Sequence, residues 1–140
     1  MKPRILLIED DDVLNQLLSG QLERFGYAVQ GMRTWRSAAS YMEEHEPDLV
    51  ILDCRLPDAD GMELLPKLSQ SVPVVILTAY ASVQNAVRAI KYGAAEYLVK
   101  PVNLDELEVV VQRALENAAL RKENQFLKSR MMGQVTNPLT

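Results

Sequence analysis

The chain has 140 residues and a formal net charge of −4, and apolar residues make up 48% of it. That apolar fraction excludes a disordered chain, and the length suits one domain with a buried core. The acidic balance argues against a broad nucleic-acid-binding surface, so we expect no direct nucleic-acid contact by this segment. The single cysteine allows no intrachain disulfide and is compatible with a reducing compartment.

The amino-terminal region lacks the pattern of a signal peptide. Its apolar run, residues 5–8, is followed at once by acids and is too short for a signal-peptide core. No apolar run approaches the roughly 20 residues of a transmembrane helix. We therefore expect a soluble cytoplasmic protein that does not contact a membrane.

Short apolar runs alternate with helical periodicity along the chain. The runs that predict strands are residues 5–8, 27–29, 49–52, 73–78 and 95–99. The residues that can cap the helices after them are Asp11 or Asp12, Thr34, Asp60, Ser82 and Asn103. In the fourth helix, Val83, Ala86, Val87 and Ile90 share one side. Five strand–helix units of this kind predict a doubly wound α/β domain with a parallel sheet.

Polar residues stand where four of these strands end. They are Glu9 and Asp10, Asp53, Thr78, and Lys100. The carboxyl ends of parallel strands meet at one edge of the sheet, where ligands bind in open α/β folds. The topology therefore predicts one pocket for all of these residues.

Three carboxylates in one pocket repel one another, so one would take up a proton unless a cation is bound. Carboxylate and carbonyl oxygens suit Mg²⁺, whereas a zinc pattern of His and Cys is lacking in the sequence. Mg²⁺ beside a carboxylate, a hydroxyl and a lysine is suited to phosphoryl transfer onto an aspartate. Asp53 is the best nucleophile candidate because it projects from the central strand, while Glu9 and Asp10 share its neighbour.

Four motifs at the strand ends resemble those of two-component response-regulator receiver domains. They are IEDD at 8–11, LDCRLPDADG at 52–61, LTAY at 77–80 and YLVKP at 97–101. The resemblance covers roughly residues 4–118. It implies a flavodoxin-like fold, in which a five-stranded parallel sheet of order 2-1-3-4-5 is flanked by five helices.

The resemblance also implies a phosphorylation site and a metal site. Asp53 would accept a phosphoryl group from a sensor histidine kinase. Mg²⁺ would be held by Glu9, Asp10 and Asp53 and by the backbone carbonyl of Arg55. Glu9 departs from the family pattern, which more often has Asp, and its extra methylene could favour a water bridge to the metal.

The remaining motif residues are implied to bind the phosphoryl group and to act as a switch. Thr78 and Lys100 would bind the phosphoryl group, and the peptide bond from Lys100 to Pro101 would be cis. Tyr97 would move together with Thr78, its ring turning inward as the hydroxyl of Thr78 moves towards the phosphate. A static strand tyrosine is the alternative for Tyr97.

Helical periodicity continues beyond residue 118. The apolar seam at 4-3-4 spacing consists of Leu120, Asn124, Leu127 and Met131, as in a short coiled coil. The residues expected to end the helix are Gly133, Asn137 and Pro138. We interpret 1–118 as the receiver domain, 119–132 as a helical extension that could be a coiled-coil dimerisation linker, and 133–140 as a linker or disordered tail. A frayed, solvated helix is the alternative for 119–132.

A receiver followed by such a helix resembles the amino-terminal part of NtrC-like sigma-54-dependent transcriptional regulators. Phosphorylation would then switch the face formed by helix 4, strand 5 and helix 5, and would change a homodimer formed through helix 5 and its extension. The chain would catalyse only its own phosphorylation and dephosphorylation and would not be an enzyme. Two alternatives remain: a Mg²⁺-dependent aspartyl-phosphate phosphatase, and a receiver-like interaction module that is never phosphorylated.

Overall fold

Five parallel strands alternate with five helices, as the sequence predicts. The computed structural model describes the backbone of residues 1–139 and the side chains of residues 1–124 and 127. The strands are β1 (Arg4–Ile8), β2 (Ala28–Met32), β3 (Leu49–Asp53), β4 (Arg55–Leu56), β5 (Ala59–Asp60), β6 (Val74–Thr78) and β7 (Glu96–Val99). The helices are α1 (Asp12–Arg24), α2 (Trp35–Glu44), α3 (Gly61–Leu68), α4 (Val83–Lys91) and α5 (Leu104–Leu139).

The main sheet has the order β2-β1-β3-β6-β7, with every neighbouring pair parallel. Since β6 and β7 are its fourth and fifth strands in the chain, the predicted flavodoxin-like order is confirmed. The second strand extends to Met32, which pairs with Ile8, and so reaches beyond the predicted residues 27–29. A two-residue antiparallel ribbon of β4 and β5 was not predicted, because strands this short leave no periodic pattern.

Both faces of the sheet are covered. All residues of β3 and β6 are buried, which explains why these strands are continuously apolar. One core layer joins β-sheet residues to Leu18 of α1 and Leu107 of α5. The opposite layer joins them to Ala38 of α2, Leu65 of α3 and Ala89 of α4. The result is the three-layer arrangement that the strand–helix alternation predicts.

The predicted helix caps are confirmed. The side chains that accept a hydrogen bond from a backbone N–H in the first turn belong to Asp11, Thr34, Asp60, Ser82 and Asn103. Of the two candidates for α1, Asp11 is the cap, and Asp12 is the first helical residue. Because each cap lies shortly after a strand end, the caps fix where the helices begin relative to the carboxyl edge of the sheet.

The apolar side of α4 is directed away from the core. Val83, Val87 and Ile90 are exposed by 80%, 60% and 53%, respectively. The buried residue of this helix is Ala89, which packs in the core layer with Tyr97 at its border. The structure therefore leaves an apolar stripe on α4 open to solvent, beside the edge strand β7.

Helix α5 runs from Leu104 to Leu139, so the predicted break at Gly133, Asn137 and Pro138 is wrong for the backbone. A glycine weakens a helix by about 1 kcal/mol but need not end it, and Pro138 stands in the last turn of α5. Of the predicted seam, Leu120 and Leu127 are 56% and 48% exposed. The side chain of Met131 lies outside the described residues. The division into 1–118, 119–132 and 133–140 stays a prediction.

Gly61 provides a test of how closely α3 approaches the end of β3. A Cβ at Gly61 would lie 2.4 Å from the backbone oxygen of Asp53. Because this oxygen belongs to the backbone, Gly61→Ala should lower the free energy of unfolding by about 1–3 kcal/mol, measured by urea denaturation. Gly20→Ala is the matched control, since a Cβ there would meet nothing within 4 Å in α1. It should stabilise the protein by about 0.5–1 kcal/mol. A stabilising effect of both changes would contradict the close approach.

Candidate functional site

The three predicted acids come together at the carboxyl edge of the sheet. Glu9 and Asp10 follow β1, and Asp53 ends the neighbouring strand β3. Each of the three offers a carboxylate oxygen that lies within 4.8 Å of the others. Glu9 and Asp53 are 0% and 4% exposed, whereas Asp10 is exposed to solvent. The cluster is therefore buried on one side and open on the other.

Lys100 brings a positive charge to this cluster. Its Nζ lies 2.6 Å from Oε1 of Glu9 and 3.2 Å from Oδ2 of Asp53. Lys100 follows the edge strand β7, so its side chain extends past β6 to reach the acids of β1 and β3. Burial alone would lower the pKa of Lys100, but pairing with Glu9 and Asp53 raises it overall. Its ammonium therefore stays charged at neutral pH. The predicted cis peptide bond to Pro101 is confirmed.

Glu9 is a buried acid whose pKa is raised. Its pKa is raised from 4.5 to about 7, chiefly by burial and then by the hydrogen bond to Asp53, while Lys100 and the backbone N–H of Asp11 act in the opposite direction. Its Oε2 accepts a hydrogen bond from the backbone N–H of Asp11 at 3.2 Å. Its Oε1 is buried and finds no aligned hydrogen-bond donor in the described part of the chain, although Lys100 is close in distance. A buried carboxylate in this position favours a bound cation.

The donor set fits Mg²⁺. Glu9, Asp10 and Asp53 supply only carboxylate oxygens, which are the hard ligands that this ion prefers. One ammonium, that of Lys100, faces three carboxylates within 4.8 Å of one another, and this excess of negative charge favours a further cation beside the cluster. Arg55, the predicted carbonyl ligand, lies in β4 just beyond Asp53, and its N–H donates to Oδ1 of Asp53 at 3.2 Å. The metal role of its carbonyl stays a prediction.

The two predicted switch residues both bond to the backbone of Tyr80. Thr78 ends β6 and is 3% exposed, and its Oγ1 accepts a bond from the N–H of Tyr80 at 3.1 Å. The hydroxyl of Tyr97, in β7, donates to the carbonyl of Tyr80 at 2.7 Å. In this structure Tyr97 is therefore held by the segment that follows Thr78. Burial raises the pKa of the Tyr97 hydroxyl, so it remains a donor at neutral pH.

The aromatic ring of Tyr80 also contacts the site. Cζ of Arg55 lies 4.4 Å from the centroid of that ring, within the range of a cation–π interaction. Arg55 and Tyr80 each stand two residues beyond a site residue, Asp53 and Thr78, respectively. The contact thus joins the segment after β3 to the segment after β6.

Asn15 is a supporting residue that was not predicted from the sequence. It is 3% exposed in α1, and its Nδ2 donates to the carbonyls of Glu9 at 2.9 Å and Met32 at 3.1 Å. These bonds tie the end of β1 to the end of β2 and fix the backbone that carries Glu9. Its position between the apolar residues Leu14 and Leu18 was the available signal, since a polar side chain there needs a partner.

The fold and the edge cluster agree with the class of domain that the sequence motifs predict. Residues 5–112 match the family model of the response regulator receiver domain, and the chain belongs to that family. The predicted family and fold are thereby confirmed.

The relatives are bacterial regulators. The chain is 36% identical over 127 residues to the regulatory protein AtoC of Escherichia coli (strain K12), covering 89% of this chain and 28% of AtoC. It is 36% identical over 141 residues to the nitrogen assimilation regulatory protein NtrX of Azorhizobium caulinodans, covering 97% of this chain and 30% of NtrX. The chain thus spans less than a third of either regulator. These relatives confirm the predicted resemblance to NtrC-like sigma-54 regulators.

Solved structures show the same fold. The receiver domain of a putative LuxO repressor protein from Vibrio parahaemolyticus superposes with a TM-score of 0.80 and is 36% identical, covering 87% of this chain and 96% of that domain. NtrX from Brucella abortus has a TM-score of 0.85 and is 31% identical, covering 93% of this chain and 31% of NtrX. Along the described chain, no helix combines the length and hydropathy needed to cross a bilayer.

The raised pKa of Glu9 predicts a pH dependence of stability without metal. Because the folded pKa of about 7 lies above the ordinary 4.5, the folded protein binds this proton more tightly than the unfolded chain does. The free energy of unfolding should therefore fall as pH rises from about 4.5 to about 7. We expect a loss of about 1–3 kcal/mol.

Denaturation in EDTA across this pH range measures the effect, and Glu9→Gln is the comparison because it cannot titrate. Equal pH slopes in the two proteins would show that Glu9 is not the group responsible.

Proposed function

We propose that this chain is the phospho-accepting receiver of a two-component system. Asp53 takes a phosphoryl group from a sensor histidine kinase in a Mg²⁺-dependent reaction. The observation that carries the proposal is the placement of Asp53, with the Lys100 ammonium 3.2 Å away and the acids Glu9 and Asp10 at the same edge. A nucleophile, a fixed positive charge and a carboxylate cluster able to hold a cation are the parts that phosphoryl transfer requires.

Each side chain has a defined task in the proposed reaction. A carboxylate oxygen of Asp53 attacks the phosphorus as the bond from phosphorus to the histidine nitrogen breaks, and an acyl phosphate forms. The ammonium of Lys100 binds a phosphoryl oxygen, and the hydroxyl of Thr78 turns from Tyr80 to bind another. When bound by Glu9, Asp10, Asp53 and the Arg55 carbonyl, Mg²⁺ neutralises charge on the phosphoryl oxygens.

The same geometry argues against the alternatives. An aspartyl-phosphate phosphatase needs a second acid close behind its nucleophile, but Arg55 holds that position and places its side chain on an aromatic ring. A module that is never phosphorylated has no need for Glu9, Asp53 and Lys100 to be buried together. We therefore propose that the chain acts on no external substrate and catalyses only its own phosphorylation and dephosphorylation.

The proposed output surface is the face formed by α4, β7 and α5. Tyr97 lies in β7 and is held by Tyr80, so movement of Thr78 towards the phosphoryl group would disturb both residues. The neighbouring α4 carries the exposed stripe of Val83, Val87 and Ile90, an apolar patch of the kind that marks an interaction surface. Phosphorylation would shift the equilibrium between two arrangements of this face.

We further propose a homodimer through α5, including the predicted extension at residues 119–132. Leu120 and Leu127 are exposed on α5 and stand seven residues apart, which is one heptad of a coiled coil. The relatives AtoC and NtrX bear the names of regulatory proteins, and this chain covers 28% and 30% of them. The receiver would accordingly control a sigma-54-type transcriptional output in the cytoplasm, without itself touching nucleic acid or membrane.

Phosphorylation can be tested with a small phosphodonor such as phosphoramidate in the presence of Mg²⁺. The wild-type chain should gain the mass of one phosphoryl group, and Asp53→Asn should reduce the rate by at least about a hundredfold because the nucleophile is lost. Intact-mass spectrometry over time measures the rate. Asp105→Asn is the control, since it makes the same chemical change at an exposed position of α5. Modification of Asp53→Asn at the wild-type rate would refute the assignment.

The dimer can be tested at Leu127. A lysine in the seam would place two like charges opposite each other, so Leu127→Lys should weaken dimerisation by about tenfold or more. Light scattering across a concentration series measures the monomer–dimer equilibrium. Val13→Lys makes the same change on α1, where Val13 is 77% exposed, and should leave the equilibrium unaltered. Equal effects of the two changes would show that pairing does not run through the extension.

A further inference from the structure

The side chain of Arg55 has no task in the phosphorylation site described so far. It lies over the ring of Tyr80, with Cζ 4.4 Å from the ring centroid. We propose that the guanidinium of Arg55 is a further phosphoryl-binding group, which stays in contact with the ring of Tyr80 until Asp53 is phosphorylated. The inference rests on the proposed phosphorylation of Asp53 and adds a second cationic side chain to Lys100.

The backbone anchors Arg55 beside the carboxylate that would carry the phosphoryl group. Its N–H donates to Oδ1 of Asp53 at 3.2 Å. Arg55 and Tyr80 also border the same cavity as Thr78, a space of about 150 Å³. Since Arg55 is exposed, its long side chain is free to change rotamer towards this cavity.

The charges explain why Arg55 would move only after phosphorylation. In the unphosphorylated protein, Lys100 pairs with both Glu9 and Asp53. A phosphoryl group brings a charge of about −1.5 to −2 and three strong acceptor oxygens. The fork of a guanidinium matches two of these oxygens, and such charge-assisted bonds are stronger than an exposed cation–π contact. Phosphorylation therefore favours the guanidinium on the phosphoryl group over the guanidinium on Tyr80.

The move would also release Tyr80. The backbone of Tyr80 bonds to both switch hydroxyls, at 3.1 Å for Thr78 and 2.7 Å for Tyr97. When Arg55 leaves the ring, Tyr80 loses a contact with the segment after β3 at the moment when the hydroxyl of Thr78 is needed at the phosphoryl group. Departure of Arg55 and rearrangement of the segment between β6 and α4 thus favour each other.

Beryllium trifluoride, a phosphoryl mimic, tests the assignment without a phosphodonor. At saturating Mg²⁺, Arg55→Met should bind it about tenfold more weakly than the wild-type chain, because a charge-assisted pair is lost. Arg55→Lys keeps the charge but not the fork and should lie between the two. Arg88→Met is the matched control, since Arg88 borders the same cavity and its guanidinium also lies over a tyrosine ring, that of Tyr92. It should change the affinity by less than about twofold.

Removal of the ring should have the opposite effect. Tyr80→Ala frees Arg55 from its competing contact and should tighten binding of beryllium trifluoride about two- to fourfold. This gain should vanish when Arg55→Met is also present, because the two residues then no longer compete. Tyr92→Ala is the control for loss of an aromatic ring near an arginine. A gain that persists in the double variant would contradict the proposed competition.

The outcomes separate this inference from the proposed function. A wild-type chain that is neither phosphorylated on Asp53 nor able to bind beryllium trifluoride would refute the phospho-acceptor itself. If the wild-type chain binds beryllium trifluoride, the role of Arg55 can be refuted separately. The refuting result is that Arg55→Met binds it as strongly as the wild-type chain, or no more weakly than Arg88→Met does. Titration of Mg²⁺ alone should give unchanged affinity in Arg55→Met, since the carbonyl is retained. An equal loss of Mg²⁺ affinity would assign the effect to the metal and overturn the inference.

Discussion

The rest of the site depends on the balance of charge between the buried carboxylates and one lysine. Glu9 and Asp53 are almost fully removed from water, and the half-buried Lys100 is paired with both. Removing these charges from water costs free energy, because buried charges must be paired or carboxylates take up protons. The supporting contacts serve that requirement: Asn15 fixes the backbone of Glu9, and the small size of Gly61 lets α3 approach the backbone of Asp53.

Topology explains what the sequence could predict. Polar residues at strand ends must meet in a parallel sheet, so Asp53, Thr78 and Lys100 could be assigned to one pocket before any distance was known. Burial of an amphipathic face could not be predicted in the same way. The stripe of Val83 and Ile90 has the same periodicity whether it faces the core or solvent, and only packing against β7 decides. The continuation of α5 through Gly133 was missed because one glycine does not determine where a helix ends.

The main-chain contacts of Tyr80 could not be predicted from its residue type. Its backbone binds the hydroxyls of Thr78 and Tyr97, and any residue there would offer the same N–H and carbonyl. The contact that depends on the residue type is made by the ring, which meets Arg55. The two predicted switch residues are therefore connected by main-chain atoms of Tyr80, while its ring adds a side-chain contact with Arg55.

The large sequence separation between Lys100 and Glu9 affects when the site forms during folding. Its partner Glu9 comes 91 positions earlier in the chain, and the strands between them must be in place before the ammonium and the carboxylate can meet. Contacts of such separation form late, because a long loop has to close first. During synthesis, a ribosome-bound chain that has folded β1, β3 and β6 would still lack the lysine of its candidate site. The charged cluster would thus be complete only when the last strand joins the sheet, and under the proposed function a partly synthesised chain could not accept a phosphoryl group.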